Sequence, residues 1–237
     1  MKHLTLIIIT LFVFQMNHAQ NNNYSKLWKQ VETFENEGLP KSALKIVEDL
    51  ETLAKKENQD KQLIKTLLFK SKYALILEED AQLQVVLDFK KAISNSPSPE
   101  KNVLQNMLAT LYWQYFQHNR WKFYNRTKTS EKVDDKDFRT WDLETLFEEI
   151  HNHYQASLKN GLILQQTPIR DFDILLQTQK NSETFRPSVF DLLAHNALSF
   201  YKTNENRITK PAETFSIQDE KFISPARKFS SLELKSS

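Results

Sequence analysis

A glutamate and a histidine three residues apart are the best candidates for metal chemistry in this sequence. Glu148 and His151 form a Glu-x-x-His pair on a predicted helix. Carboxylate-bridged di-iron bundles use two such pairs and two further glutamates, and this sequence holds no second pair. His151 and His153 are two residues apart, which separates them by about 200° around a helix. We therefore expect an exposed helix face, with a metal site as the alternative.

Other catalytic patterns are missing from the 237 residues. The sequence contains no cysteine, which excludes a thiol nucleophile, and only two glycines, which excludes glycine-rich phosphate loops. It also lacks His-Glu-x-x-His and Gly-x-Ser-x-Gly. We predict no catalytic residue, no metal ligand and no cofactor, and we expect a protein that is not an enzyme.

The segment from residue 112 to residue 126 is unusually rich in aromatic side chains. Its sequence, YWQYFQHNRWKFYNR, holds seven aromatic residues with arginine and lysine between them. Such a segment could be a stacking platform for a single-stranded nucleic acid or a glycan. It could instead fill the core between helices, with cations stacked on ring faces, and we favour this core interpretation. The candidate interaction or core residues are Tyr112, Trp113, Tyr115, Arg120, Trp121, Tyr124 and Arg126.

The charge balance argues against a nucleic-acid partner. There are 32 basic and 30 acidic side chains, and such a weak net field does not attract polyanions or anionic membranes. No motif for a small-molecule substrate is evident. The expected partner is therefore another protein.

The elements that position these residues are predicted to be helices. Average composition would give about sixteen glycines in a chain of this length, and the two present are too few for many hairpin turns. Apolar residues recur at helical spacing between polar turns. We predict an all-α fold of antiparallel helical hairpins, either an α-solenoid resembling tetratricopeptide repeats or a bundle. The segment 28–76 is repeat-like, without a full repeat signature.

The first nineteen residues have the pattern of a secretory signal peptide. A basic start, Met1–His3, precedes an apolar run of about eleven residues and a small residue, Ala19. The run is shorter than the roughly twenty residues that span a bilayer, so a retained anchor is the less favoured alternative. We predict a signal peptide at 1–19, a helical domain at 20–203 and a loop-like or partly disordered tail at 204–237. The expected location is the periplasm, the cell envelope or the medium.

Several strings resemble the amino-terminal helical region of large alpha-2-macroglobulin-like proteins of Bacteroidetes. The resemblance spans residues 24–217. The matching strings are Trp28-x-x-Val31, Gly38–Leu44, Tyr112–Tyr115, Asn119–Thr127, Thr140–Leu143, Phe185–His195 and Ile208–Ala212.

The resemblance implies the leading segment of a protein that traps proteinases at the cell envelope. Members of that family are much longer, and β-sandwich domains, a bait region and often a Cys-x-Glu-Gln thioester follow this part. Without cysteine, this chain has no thioester, and no functional residue of the family falls in this region. We expect a non-catalytic exported helical interaction module, a truncated or split form of such a protein. The alternative is a free-standing adaptor resembling tetratricopeptide repeats, which binds a peptide or an envelope protein.

Overall fold

The structure is a computed structural model that describes residues 23–124, 134, 136–177, 181–203, 205 and 220–232. Within these ranges the backbone is predominantly helical and contains no β-strand. The predicted all-α class is confirmed. The predicted signal peptide lies outside the described residues. None of the helices in the described ranges is both long enough and apolar enough to cross a bilayer.

The helices follow one another along the chain with short connections. The first three are α1 (residues 23–36), α2 (Pro40–Glu57) and α3 (Asp60–Leu77). The middle of the chain forms α4 (Ala81–Asn95), α5 (Glu100–His118), α6 (Arg120–Tyr124), a 3-10 helix (Phe138–Thr140) and α7 (Leu143–Ser157). The remainder forms α8 (Gly161–Gln166), a 3-10 helix (Ile169–Leu175), α9 (Ser182–Phe185), α10 (Val189–Tyr201), a 3-10 helix (Glu220–Ile223) and α11 (Ala226–Phe229).

Local sequence explains where the first helices begin and end. Gly38 has a φ of 71°, the left-handed conformation that favours glycine after a helix. Pro40 then occupies the first position of α2, where its missing N–H costs no helical hydrogen bond. Along α2, an apolar face of Ala43, Val47 and Leu50 recurs at helical spacing and is fully buried.

The first three helices lie side by side and alternate in direction. Trp28 Nε1 donates to Gln62 Oε1 at 2.8 Å, and farther along, the Tyr73 hydroxyl donates to Glu35 Oε1 at 2.7 Å. From the first contact to the second, the residue numbers rise in both helices, so α1 and α3 are parallel. The two-residue connection between α2 and α3, residues 58–59, makes α2 antiparallel to both.

The first three helices share one core cluster, and a second core joins α5 to α7, which form an extensive contact. Leu104, Leu108 and Tyr112 of α5 are fully buried against α7 residues such as Leu146 and Ile150. A smaller third cluster joins α5, α8 and α10 with the 3-10 helix at Ile169–Leu175. Helix α5 therefore contributes to two of the three core clusters of the described residues.

Helix α7 begins at Leu143 because Asp142 is its N-cap and accepts from the backbone N–H of Thr145. Within the predicted tail, residues 220–223 and 226–229 form short helical segments.

Candidate functional site

The amino-terminal half of the aromatic segment lies in α5 and faces the core. Tyr112 is completely buried, with its ring centroid 5.2 Å from that of Phe138. Trp113 and Tyr115 are half-buried. The Trp113 ring contacts Phe200 at 5.2 Å, and the Tyr115 ring contacts Phe138 at 4.8 Å. The core interpretation fits these three residues.

The short helix α6 carries one aromatic side chain in the core and another in solvent. Phe123 is only 3% exposed, and its ring lies 5.7 Å from that of Phe116 in α5. Trp121, two residues earlier, is 65% exposed. Nζ of Lys122 lies 5.5 Å from the centroid of the Trp121 ring. The core interpretation is therefore wrong for Trp121, because Asn119 ends α5 and α6 begins with a new helical phase.

An ion pair adds to the attachment of α6. Arg120 pairs with Glu205, and its guanidinium carbon lies 6.0 Å above the ring centroid of Phe116. Arg126 lies outside the described residues, and so does the side chain of Tyr124. Trp121 thus lies on a helix that is held in place by Arg120 before it and Phe123 after it.

A polar cluster beside Tyr112 links three helices. Lys90 of α4 donates to Glu149 Oε1 of α7 at 3.1 Å, and Nε2 of His153 lies 3.4 Å from the same oxygen. Nδ1 of His153 contacts the amide oxygen of Gln105 in α5. The hydrogen bond from His153 is the main cause that lowers the pKa of Glu149 to about 2, against a burial effect that raises it, and Lys90 contributes further. The cluster therefore holds an ionised carboxylate between two donors.

The Tyr112 hydroxyl lies next to this cluster and stays protonated. Burial raises the pKa of Tyr112 well above its usual range, and the charge of Glu149 raises it further. Within the described part of the chain, this hydroxyl has no hydrogen-bond partner. The buried O–H is a desolvated polar group in an otherwise aromatic environment.

The Glu148 and His151 pair lies on the exposed side of α7. Nδ1 of His151 contacts the Tyr201 hydroxyl of α10 at 2.7 Å. In the described ranges, no group of three or more His, Asp or Glu side chains could hold a metal ion. The neighbouring pair, Glu149 and His153, was not among the residues predicted from the sequence, although its i,i+4 spacing on a helix is a recognisable signal.

Comparison with protein-family models, curated proteins and solved structures finds no match to this chain.

Proposed function

We propose that this protein is a non-catalytic, exported helical module that binds another protein through the surface around Trp121. The proposal rests on the difference in side-chain exposure within one segment. Tyr112 is fully buried and Phe123 nearly so, whereas Trp121 between them is 65% exposed. An exposed tryptophan leaves a large apolar area in water, and tryptophan and arginine are enriched among residues that dominate binding energy.

The attachment of α6 makes this tryptophan suitable for binding. Phe123 packs in the core and Arg120 pairs with Glu205, so the backbone at Trp121 is already ordered. Binding of a partner to the indole would then cost less conformational entropy, because the segment that carries Trp121 is already fixed. Lys122 beside the ring adds a positive charge at the edge of the surface, which favours an acidic rim on the partner.

The resemblance to alpha-2-macroglobulin-like proteins suggests which partner this is. In that family, β-sandwich domains follow the corresponding helical segment, so such domains are the first candidates to contact the Trp121 surface. The parallel α1 and α3, with an antiparallel α2 packed in the same core cluster, support a stack of hairpins resembling tetratricopeptide repeats. That arrangement also supports the second candidate, a free-standing adaptor for a peptide or envelope protein.

Site-specific photo-crosslinking tests the binding surface and separates the two candidates. A photo-reactive phenylalanine analogue replaces Trp121 in one variant and the exposed Phe229 in a matched control. After irradiation in envelope extract, mass spectrometry identifies the captured chains. A product specific to position 121 supports the surface. A captured macroglobulin-like protein favours the first candidate and an unrelated envelope protein favours the adaptor, whereas equal capture at both positions refutes the surface.

Export is tested separately with the protein's own leader. In a Gram-negative host we expect the protein in the periplasmic fraction, with Gln20 as its first residue. An intact Met1 on membrane-bound protein would instead identify the apolar run as a retained anchor.

A further inference from the structure

A cavity of about 120 Å³ lies between α5, the 3-10 helix at Ile169–Leu175 and α10. Its walls are almost entirely apolar. The side chains that define them include Val103 and Met107 of α5, Phe172 of the 3-10 helix, and Val189 and Leu193 of α10. Comparable apolar cavities of roughly 150 Å³ stay dry and bind a benzene-sized molecule. The size and lining therefore suit a single compact ring.

The cavity has a closed end and a mouth. Val103, Phe172 and Val189 are buried, whereas Met107 and Asn196 on its wall are partly exposed. A small molecule can therefore enter from the surface and leave one end near solvent.

Two asparagines supply the polar groups of the wall. Asn106 Nδ2 donates to Ser157 Oγ at 3.2 Å and to the Leu193 carbonyl at 3.1 Å. Asn106 Oδ1 accepts from Nδ2 of Asn196 at 2.8 Å. Both ends of the Asn106 amide are therefore engaged. Among the described residues, Oδ1 of Asn196 has no hydrogen-bond partner, so a carbonyl acceptor remains available at the mouth.

We propose that this cavity binds a small phenol-like ligand, a six-membered ring that carries one hydrogen-bond donor. The ring would lie between the Phe172 ring and the Met107 thioether, both of which favour aromatic contacts. The hydroxyl would lie at the mouth and donate to Oδ1 of Asn196. This orientation leaves no polar group of the ligand unsatisfied in the apolar part. The inference is independent of the Trp121 surface.

The test uses the full chain with labelled methyl groups and the probes phenol, benzene, p-cresol and N-acetyltyrosine amide. On titration with phenol we expect saturable NMR shifts at the Val189 and Leu193 methyls and none at Val47, which lies in another core cluster. Phenol should bind at least fivefold more tightly than benzene. Absence of saturable shifts would overturn the proposal.

Variants that fill the cavity provide the next test. Val103→Ile combined with Val189→Ile should weaken phenol binding at least tenfold, whereas Val47→Ile should leave it unchanged. Circular dichroism confirms that each variant is folded. Unchanged phenol binding in the filled variant would show that the ligand lies elsewhere.

The acceptor is tested by changing Asn196, with the exposed Asn152→Leu as the control. Asn196→Leu should bind phenol and benzene equally, and Asn196→Asp, which keeps an acceptor, should retain the preference for phenol. A preference for phenol that survives in Asn196→Leu, or is lost in both variants, refutes the role of Asn196.

Binding of N-acetyltyrosine amide at the strength of p-cresol would assign the site to a tyrosine side chain of a polypeptide. Binding of p-cresol alone would assign it to a free small molecule.

Discussion

Glu149 shows how one residue can link the protonation state of the protein to its stability. Its carboxylate accepts from Lys90 at 3.1 Å and lies 3.4 Å from Nε2 of His153. These donors stabilise the ionised form relative to an unfolded chain, in which the carboxyl group is solvated. The residue is mostly buried, with 23% of its side chain exposed, so solvent screens the interaction only partly.

The first prediction is that acid removes this stabilisation. The pKa of Glu149 falls from 4.5 to about 2 on folding, so its contribution is present above about pH 4.5 and is lost as the pH approaches 2. The shift corresponds to at most about 3 kcal/mol. Urea unfolding at intervals from pH 7 to pH 2 should show this loss in the wild type and a smaller loss in Glu149→Gln. Glu148→Gln, at the exposed neighbour, is the control and should follow the wild type; identical profiles for all three proteins would contradict the assignment.

The aromatic density around residues 112–126 was evident in the sequence, but the burial of each ring was not. Within α5, Tyr112 and Phe116 share a face because they are four residues apart, and both are buried. The end of α5 at Asn119 breaks that periodicity. The orientation of Trp121 depends on the angle between α5 and α6, which tertiary contacts determine and residue spacing does not.

Helix α10 begins with an N-terminal cap in which two residues, Ser188 and Asp191, bond to each other reciprocally. The Ser188 Oγ accepts from the backbone N–H of Asp191, and the Asp191 carboxylate accepts from the backbone N–H of Ser188. This capping box satisfies two backbone donors that the helix itself cannot. The backbone N–H of Val189 also donates to the carbonyl of Thr167 at 3.0 Å, which attaches the start of α10 to the end of α8.

The second prediction is that Ser188→Ala destabilises the protein by about 1 kcal/mol, because the cap is lost while the helix remains. Chemical denaturation measures the difference. Ser199→Ala is the matched control, since Ser199 is exposed within the same helix and its hydroxyl donates to the carbonyl of His195. An equal effect of the two substitutions would show that the capping box contributes nothing.

The long helices could be predicted because local residues mark their ends. Gly38 and Pro40 mark the turn between α1 and α2, and Ser188 marks the start of α10. The short segments were harder to predict. The 3-10 helix at Ile169–Leu175 is held by packing, with Phe172 buried against the third core cluster, and such tertiary contacts have no periodic signal in the sequence.

At the scale of the whole molecule, one buried amide joins three helices. Asn106 of α5 bonds to Ser157 at the end of α7 and to both Leu193 and Asn196 of α10. Asn102, one turn earlier, donates to the carbonyls of Ser157 and Lys159. These bonds fix the register between helices that apolar packing alone would leave less defined.

The third prediction is that Asn106→Ala destabilises the protein by about 2–4 kcal/mol, because it removes all three hydrogen bonds of a buried amide. Asn152→Ala, on the exposed side of α7, should change stability by less than about 0.5 kcal/mol. Guanidinium unfolding followed by circular dichroism measures both. A small effect at Asn106 would show that the helices are held by apolar contacts alone.

The aromatic segment is divided between the core and the surface of the protein. Trp113 packs against Phe116, Phe147 and Phe200 at centroid distances of 5.4, 5.9 and 5.2 Å. Trp121 is 65% exposed on an anchored helix. The two tryptophans therefore have different roles, although the sequence presents them as members of one cluster.

The most direct test compares the unfolding free energies of Trp113→Ala and Trp121→Ala in the same denaturant series. Trp113→Ala should cost about 2–4 kcal/mol, somewhat less than a fully buried tryptophan, because part of the indole is exposed. Trp121→Ala should change the free energy by less than about 0.5 kcal/mol, as an ordinary surface substitution does. A loss of stability at Trp121 that equals the loss at Trp113 would contradict this division between core and surface, since Trp121 would then belong to the core.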